Sequence, residues 1–195
     1  MLKKISYMTA GESHGKGLIG IIEGIPAGMN ITEEYIEKDL LRRMQGHGRG
    51  GRMKIEKDHA EIFSGVRHAI TLGSPISLLI KNFDWVNWED RMATGKPKKE
   101  HRKVTMPRPG HADLAGVMKY GLDDIRNVLE RSSARETAMR VAIGAVCRKL
   151  LEEVGITVGS RVYQIHNIVD ETPVSNNMSL KELNDTVDAS PVRCF

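Results

Sequence analysis

A chain of 195 residues is long enough for one domain with a proper core or two small ones. With 40% hydrophobic and 28% charged residues it reads as globular rather than disordered. Aromatics at 5% are too few to read single strands by base stacking, and the formal charge of +4 is a mild excess whose placement matters more than its sum.

Cys147 and Cys194 lie far apart and form no CxxC pair, which argues against a disulfide scaffold or a thiolate metal site. Cys147 falls in an apolar helical pattern and is expected as a small buried hydrophobe. Lys3 and Lys4 are followed by Gly11-Glu12-Ser13-His14, where a signal peptide would need an apolar stretch. No run approaches the ~20 apolar residues of a membrane span, so no membrane association and a cytoplasmic location are expected.

In chain order, Leu18 to Ile25 is a short apolar run between glycines and Pro26, predicting a buried strand. Thr32-Glu33-Glu34 predicts a helix start, with Ile36, Leu40, Leu41 and Met44 as its apolar stripe and Gly46 at its end. Residues 42–52 hold four arginines and four glycines, a cationic loop. Ala60 to Val66 and Pro75 to Lys81 predict two strands joined by a turn around Leu72-Gly73-Ser74. Residues 83–103 read as an irregular, increasingly basic loop. Pro107 to His111 is a stiffened turn opening onto a helix over Ala112 to Tyr120. The strongest helical periodicity spans Ala134 to Val154, with Ser133 and Glu136 spaced as a capping box. Ile156 to Val169 reads as strand-like, and Ser179 with Glu182 opens a last short helix. Strands and helices do not alternate regularly, which predicts an α+β fold rather than a doubly wound sheet.

Two phosphate-binding patterns fail. Gly11 to Lys16 lacks one P-loop spacer and has Gly17 where Ser or Thr must ligate magnesium. Gly46, Gly48 and Gly51 spell GxGxxG after a helix instead of a strand. Anion chemistry without a P-loop is better supported. Arg131, Ser132, Ser133 and Arg135 surround a helix start, where free amides and the dipole favour an anion. A plain cap with solvated arginines remains the alternative there. Arg43, Arg49 and Arg52 in the glycine-rich loop suit bidentate grip on carboxylate or phosphate, with a surface loop or a nucleic-acid contact as alternatives. His14 follows a glycine-rich turn and His111 a Pro-Gly turn. Neither has metal-ligand spacing, so acid–base work is favoured over metal binding.

These runs together resemble the chorismate synthase family. Gly11-Glu12-Ser13-His14-Gly15 through Pro26 is similar to its first signature, and Glu130-Arg131-Ser132-Ser133-Ala134-Arg135-Glu136-Thr137 through Gly144 to its second. Arg42-Arg43, Gly48 to Arg52 and Arg108 to Asp113 stand in the expected order. The resemblance implies half of a sandwich of helices between antiparallel sheets, with residues 1–195 as the amino-terminal part of the family domain. It implies 1,4-elimination of phosphate from 5-enolpyruvylshikimate 3-phosphate, with reduced FMN required and no net redox change. Arg43, Arg49, Arg52, Arg108 and Arg135 would bind substrate, and Arg131, Ser132 and Ser133 FMN. Arg43 and Arg49 also match positions assigned to NADP, with NADPH as a reductant. His111 would be the general acid toward the departing phosphate, and His14 would protonate the flavin. A homotetramer is implied, and no nucleic acid. Family members are longer, with a third signature beyond residue 195. The chain is therefore expected to be a truncated form, inactive by itself and prone to associate. A non-catalytic flavin- or nucleic-acid-binding fragment is the rival expectation.

Overall fold

A computed structural model describes residues 4–48, 51, 55–173, 175 and 177–194. The chain opens with strand β1 (Ser6–Ala10) and β2 (Gly17–Glu23), followed by helix α1 (Glu33–Met44). Next come β3 (Glu61–Ser64), a minor hairpin of β4 (Val66–Arg67) and β5 (Ile70–Thr71), and β6 (Ile76–Lys81). Helices α2 (Asp113–Tyr120), α3 (Arg126–Leu129) and α4 (Glu136–Glu153) lead to a second minor hairpin, β7 (Gln164–Ile165) and β8 (Ile168–Val169), and to α5 (Leu180–Ala189). The main sheet has the order β1-β2-β6-β3 and is antiparallel throughout. With helices laid on one face of it, the fold is α+β, as the sequence predicts.

The side-chain period of a strand decides which face carries the core. On β2, Leu18 and Ile22 point inward with Gly20 between them, and Ile76, Leu78 and Ile80 of β6 join them. Against this face lie Ala138, Met139, Ala142, Ile143 and Val146 of α4, with Ile36 and Leu40 of α1 alongside. Small residues on α4 let the helix come close. A Cβ on Gly20 would stand 2.5 Å from the Met139 sulfur and 2.8 Å from Ile143 Cδ1. The opposite sheet face is exposed and apolar, carrying Met8, Ile19 and Ile21.

The predicted start of α1 is present: Thr32 Oγ1 accepts the Tyr35 amide, Glu33 and Glu34 sit in the first turn, and Arg42 and Arg43 in the last. In α5 the Ser179–Glu182 capping box is complete. Four expectations need correction. The two predicted strands do pair (Ile62 opposite Leu78), but the connection is the β4–β5 hairpin, turned by His68 and Ala69 at φ 52° and 63°. Neither residue advertises a left-handed turn. The segment 156–169 forms only a four-residue ladder between β7 and β8, because its apolar residues find no strand of the main sheet to pair with among the described residues. Cys147 is half-buried, packed against the core rather than within it. Ser133 does not cap α4. Arg135 occupies the cap position in helical geometry with no side-chain cap bond, and Glu136 turns to Arg131 and Thr9 instead. Strand β1, which the apolar pattern did not single out, is held by its register with β2 from Ser6 opposite Glu23 to Ala10 opposite Ile19.

The Gly20 contact predicts that Gly20→Val overpacks the α4–sheet seam. Urea unfolding of the variant is expected to show a loss of about 1–3 kcal/mol. An unchanged midpoint would mean that α4 rides higher over β2.

Candidate functional site

The residues Glu130 to Thr137 are a junction to which four distant parts of the chain attach. Arg135 is 3% exposed. Its guanidinium pairs with Asp58, donates to Asn82 Oδ1 at 2.8 Å, and reaches Glu56 Oε2 at 3.4 Å and the Lys81 carbonyl at 3.3 Å. Glu56, Asp58 and Ala60 are buried in alternation with exposed Lys57 and His59, so an extended segment turns its acids inward. Arg43, at the end of α1, donates to the other Asp58 oxygen at 3.0 Å and to the Ala134 carbonyl at 2.9 Å. Asn82 in turn donates to the carbonyls of Glu12 and Gly15, at 3.0 and 2.8 Å. That bond carries the junction into the loop that bears His14.

The His14 loop opens at Gly11, whose φ of 107° and 2.3 Å approach of a would-be Cβ to the Gly17 carbonyl exclude any side chain. Ser13 donates its amide to the Glu130 carbonyl (3.0 Å), and His14 its amide to the Glu130 carboxylate (2.8 Å). The imidazole Nδ1 lies 3.0 and 2.8 Å from the two Glu130 oxygens. Its ring leans on Trp88 with centroids 4.0 Å apart, and its Nε2 stands 3.9 Å from Asp84 Oδ2, beyond hydrogen-bonding distance. Burial pushes the Glu130 carboxyl up, but the His14 bonds and the Arg126 guanidinium outweigh it and hold the group below its ordinary value.

Arg131 and Ser132 face outward. Arg131 pairs with Glu136 and donates to the carbonyl and hydroxyl of Thr9 at 2.9 and 2.8 Å, fastening the junction to β1. Ser133 Oγ accepts the Arg135 amide at 3.2 Å, which leaves its hydroxyl proton for another acceptor. A recess of about 380 Å³ beside them is lined by Glu12, Tyr120, Asn127, Val128, Arg131 and Ser132. The recess brings together a cation, a carboxylate, a hydroxyl, an amide and an aromatic ring, of which the cation and hydroxyl could hold an anionic group. Arg43 lines a separate cavity of about 720 Å³ together with Arg42, Arg140, Arg148 and Arg161.

Arg108 and His111 form a second cluster, on the turn before α2. Asp113 is fully buried and takes the Arg108 amide at 3.0 Å and two guanidinium nitrogens at 2.8 and 2.9 Å. The Arg108 bonds hold the Asp113 carboxyl down at about 2. Arg108 Nη2 then lies 3.1 Å from His111 Nδ1. Of the predicted site residues, the structure thus gathers His14, Arg43, Arg131, Ser132, Ser133 and Arg135 at one junction and sets Arg108 and His111 on a neighbouring turn. Arg49 and Arg52 lie outside the described residues. Sequence reasoning gave no role to Glu130, Asp113, Asp58 or Trp88. Glu130 and Asp113 stood within the motifs quoted above, whereas nothing local in the sequence marked the acids of residues 56 and 58 as buried.

The α+β scaffold thus carries two imidazoles, each held at Nδ1 by a charged side chain, among arginines. The chain belongs to the chorismate synthase family, whose model matches residues 5–195. It is 54% identical over 192 residues to a chorismate synthase of Geobacillus sp. (strain WCH70), covering 97% of this chain and 49% of that protein. The counterpart from Alkaliphilus metalliredigens (strain QYMF) is 57% identical over 188 residues, covering 96% and 48%. A crystal structure of chorismate synthase superposes with a TM-score of 0.76 at 42% identity, over all of this chain and 50% of that one. The chain therefore spans about half the length of the curated relatives it matches.

Two outcomes follow from the geometry. Arg135→Ala removes the buried cation shared by Asp58 and Glu56, leaving Asp58 with Arg43 alone on its other oxygen, and is expected to lower unfolding free energy by about 3–5 kcal/mol in urea titrations at neutral pH. A loss under 1 kcal/mol would show that the cluster is solvated. Asp113 stabilises the fold above its unfolded pKa near ~3.9, and that share is lost as pH falls through about 2. Asp113→Asn should therefore be less stable than the parent at pH 7, with the difference shrinking between about pH 4 and 2. A pH-independent difference would contradict the ion-paired state.

Proposed function

We propose that this chain supplies binding and proton-handling residues for the chorismate synthase reaction, the loss of phosphate from 5-enolpyruvylshikimate 3-phosphate by 1,4-elimination to give chorismate. The observation that carries this reading is the pair of histidines, each fixed at Nδ1 by a charged side chain, beside a run of arginines and hydroxyls in a chain of this family. The substrate's two carboxylates and phosphate call for several cations. Arg43, Arg49, Arg52 and Arg108 are their counterparts, with Arg135 setting the floor of the site from beneath. Arg108 serves well because its guanidinium is already oriented by Asp113, so less side-chain freedom is lost on binding.

His111 would hydrogen-bond the departing phosphate and stabilise charge as the C–O bond breaks. His14 would hold or move a proton at the flavin, and Arg131, Ser132 and Ser133 would hold that flavin's polar groups. Reduced FMN, when bound, supplies electron density to the allylic system and leaves the cycle with no net redox change. Arg43 and Arg49 would contact NADP where NADPH serves as reductant. The exposed apolar face of the main sheet supports a homo-oligomer, tetrameric as in the family. A cytoplasmic location without nucleic-acid or membrane partners completes the proposal. Among the described residues no helix is long and apolar enough to cross a membrane.

The test is an anaerobic assay of the complete gene product with reduced FMN and 5-enolpyruvylshikimate 3-phosphate. Chorismate and phosphate should appear in equal amounts, and His111→Ala should slow turnover by about 10²–10⁴ while flavin affinity stays nearly constant. Near-normal turnover in that variant would remove His111 from the mechanism. Arg131→Ala should weaken flavin binding by about 1.5–3 kcal/mol in a fluorescence titration, and unchanged binding would leave Arg131 a tether of β1 alone.

A further inference from the structure

His14 and His111 are each held at Nδ1, but by partners of opposite hydrogen-bonding character. We propose that Glu130 and Arg108 are positioning residues that fix the two imidazoles in opposite tautomers, so that His14 presents a lone pair at Nε2 and His111 presents an Nε2–H. This rests on the reading of the two histidines as the proton-handling pair.

An ionised carboxylate only accepts, so the His14 Nδ1 that faces both Glu130 oxygens must carry the hydrogen. Glu130 is 2% exposed and is itself gripped by Arg126 at 2.9 Å, so it cannot follow the ring elsewhere. Flipping the imidazole would set a carbon against the carboxylate. The neutral ring therefore keeps its lone pair on Nε2, the nitrogen beyond hydrogen-bonding distance of Asp84. A guanidinium only donates, so the His111 Nδ1 that meets Arg108 Nη2 must accept. Arg108 is held in place through its amide and two side-chain nitrogens by buried Asp113, which keeps the donor aimed at the ring. The proton of neutral His111 is left on Nε2.

The two rings are consequently not interchangeable. His14 Nε2 is where a proton is taken up, and the charge so formed is balanced by Glu130 through Nδ1. His111 Nε2 is where a hydrogen bond is given, and a neutral ring can give it to a phosphate oxygen without prior protonation. Complete transfer of a proton from His111 would start from the imidazolium, whose Nδ1–H has Asp113 Oδ1 at 3.7 Å as its counterpart.

The experiment is long-range proton–nitrogen correlation NMR on the chain labelled with ¹⁵N-histidine, at a pH where both rings are neutral. His14→Gln and His111→Gln assign the signals. The expected spectrum has His14 protonated at Nδ1 and His111 protonated at Nε2. The same tautomer in both rings would overturn the proposal. Glu130→Ala should move His14 to the Nε2–H form that free histidine favours, whereas Glu130→Gln, which keeps an acceptor oxygen, should restore the Nδ1–H form. A His14 ring indifferent to both substitutions would remove Glu130 as its positioning residue. If Glu130→Ala does not fold, the parent spectrum still decides. The readout requires no turnover, so failure of the lyase reading and failure of the tautomer assignment are separate results.

Discussion

The buried Arg135 guanidinium is the interaction on which the rest of the site depends. It draws the acids of residues 56 and 58, the end of β6 and the start of α4 to one point. A buried charge of this kind is tolerable only when its partners are complete, and here carboxylates, an amide oxygen and a backbone carbonyl surround it. Completion has a mechanical consequence. Because Asn82 links Arg135 to the Gly11–Gly15 loop, and Glu130 five residues earlier holds His14, the histidine is fixed by the same cluster that fixes the helix start. The orientation of the His14 ring is thus built into the packing of the domain.

The charge pattern of the junction separates tasks that look alike in one dimension. Arg135 and Arg131 are four residues apart, yet one is sealed beneath the sheet end and the other lies at a recess with Ser132. Helical geometry explains it. The segment enters α4 through consecutive tight turns, with Thr137 bonded to Ala134 and Ala138 to Arg135, so successive side chains leave in different directions. Around Arg131 the pairing with Glu136 and Thr9 orients the cation without enclosing it. On the neighbouring turn, Asp113 orients Arg108, and Arg108 in turn meets His111 at Nδ1.

What the sequence made legible was local. The Thr32 cap, the Ser179–Glu182 box and the apolar stripe of α4 arise from contacts within a few residues and appear where expected, whereas the apolar run from Leu18 forms β2 with only one face buried, leaving Ile19 and Ile21 exposed. The motif glycines and histidines were also readable, because glycine at Gly11 and a Pro-Gly turn before His111 are backbone requirements visible in one dimension. Long-range partners were not. Arg135 and Asp58 are 77 residues apart, and His14 and Glu130 are 116 apart, and no local period announces such a pair. The capping reading of Ser133 failed for the same reason. Glu136 has the spacing of a capping box, but a nearby guanidinium and a threonine hydroxyl on β1 offer it stronger bonds than the Ser133 amide. Residues 156–169 show the complementary error: strand-forming composition is realised only where a partner edge exists.

The loop carrying His14 shares the stability of the core because buried charges tie it there. Native-state hydrogen exchange tests this directly through three amides outside the α-helices and strands: Ser13 and His14, bonded to Glu130, and Phe83, at the start of a 3-10 turn and bonded to Glu56. These amides are expected to open with the same free energy as those of Ala142 and Val146 in α4, as one cooperative unit. Exchange of these three at the rate of an exposed loop, with α4 still protected, would contradict it.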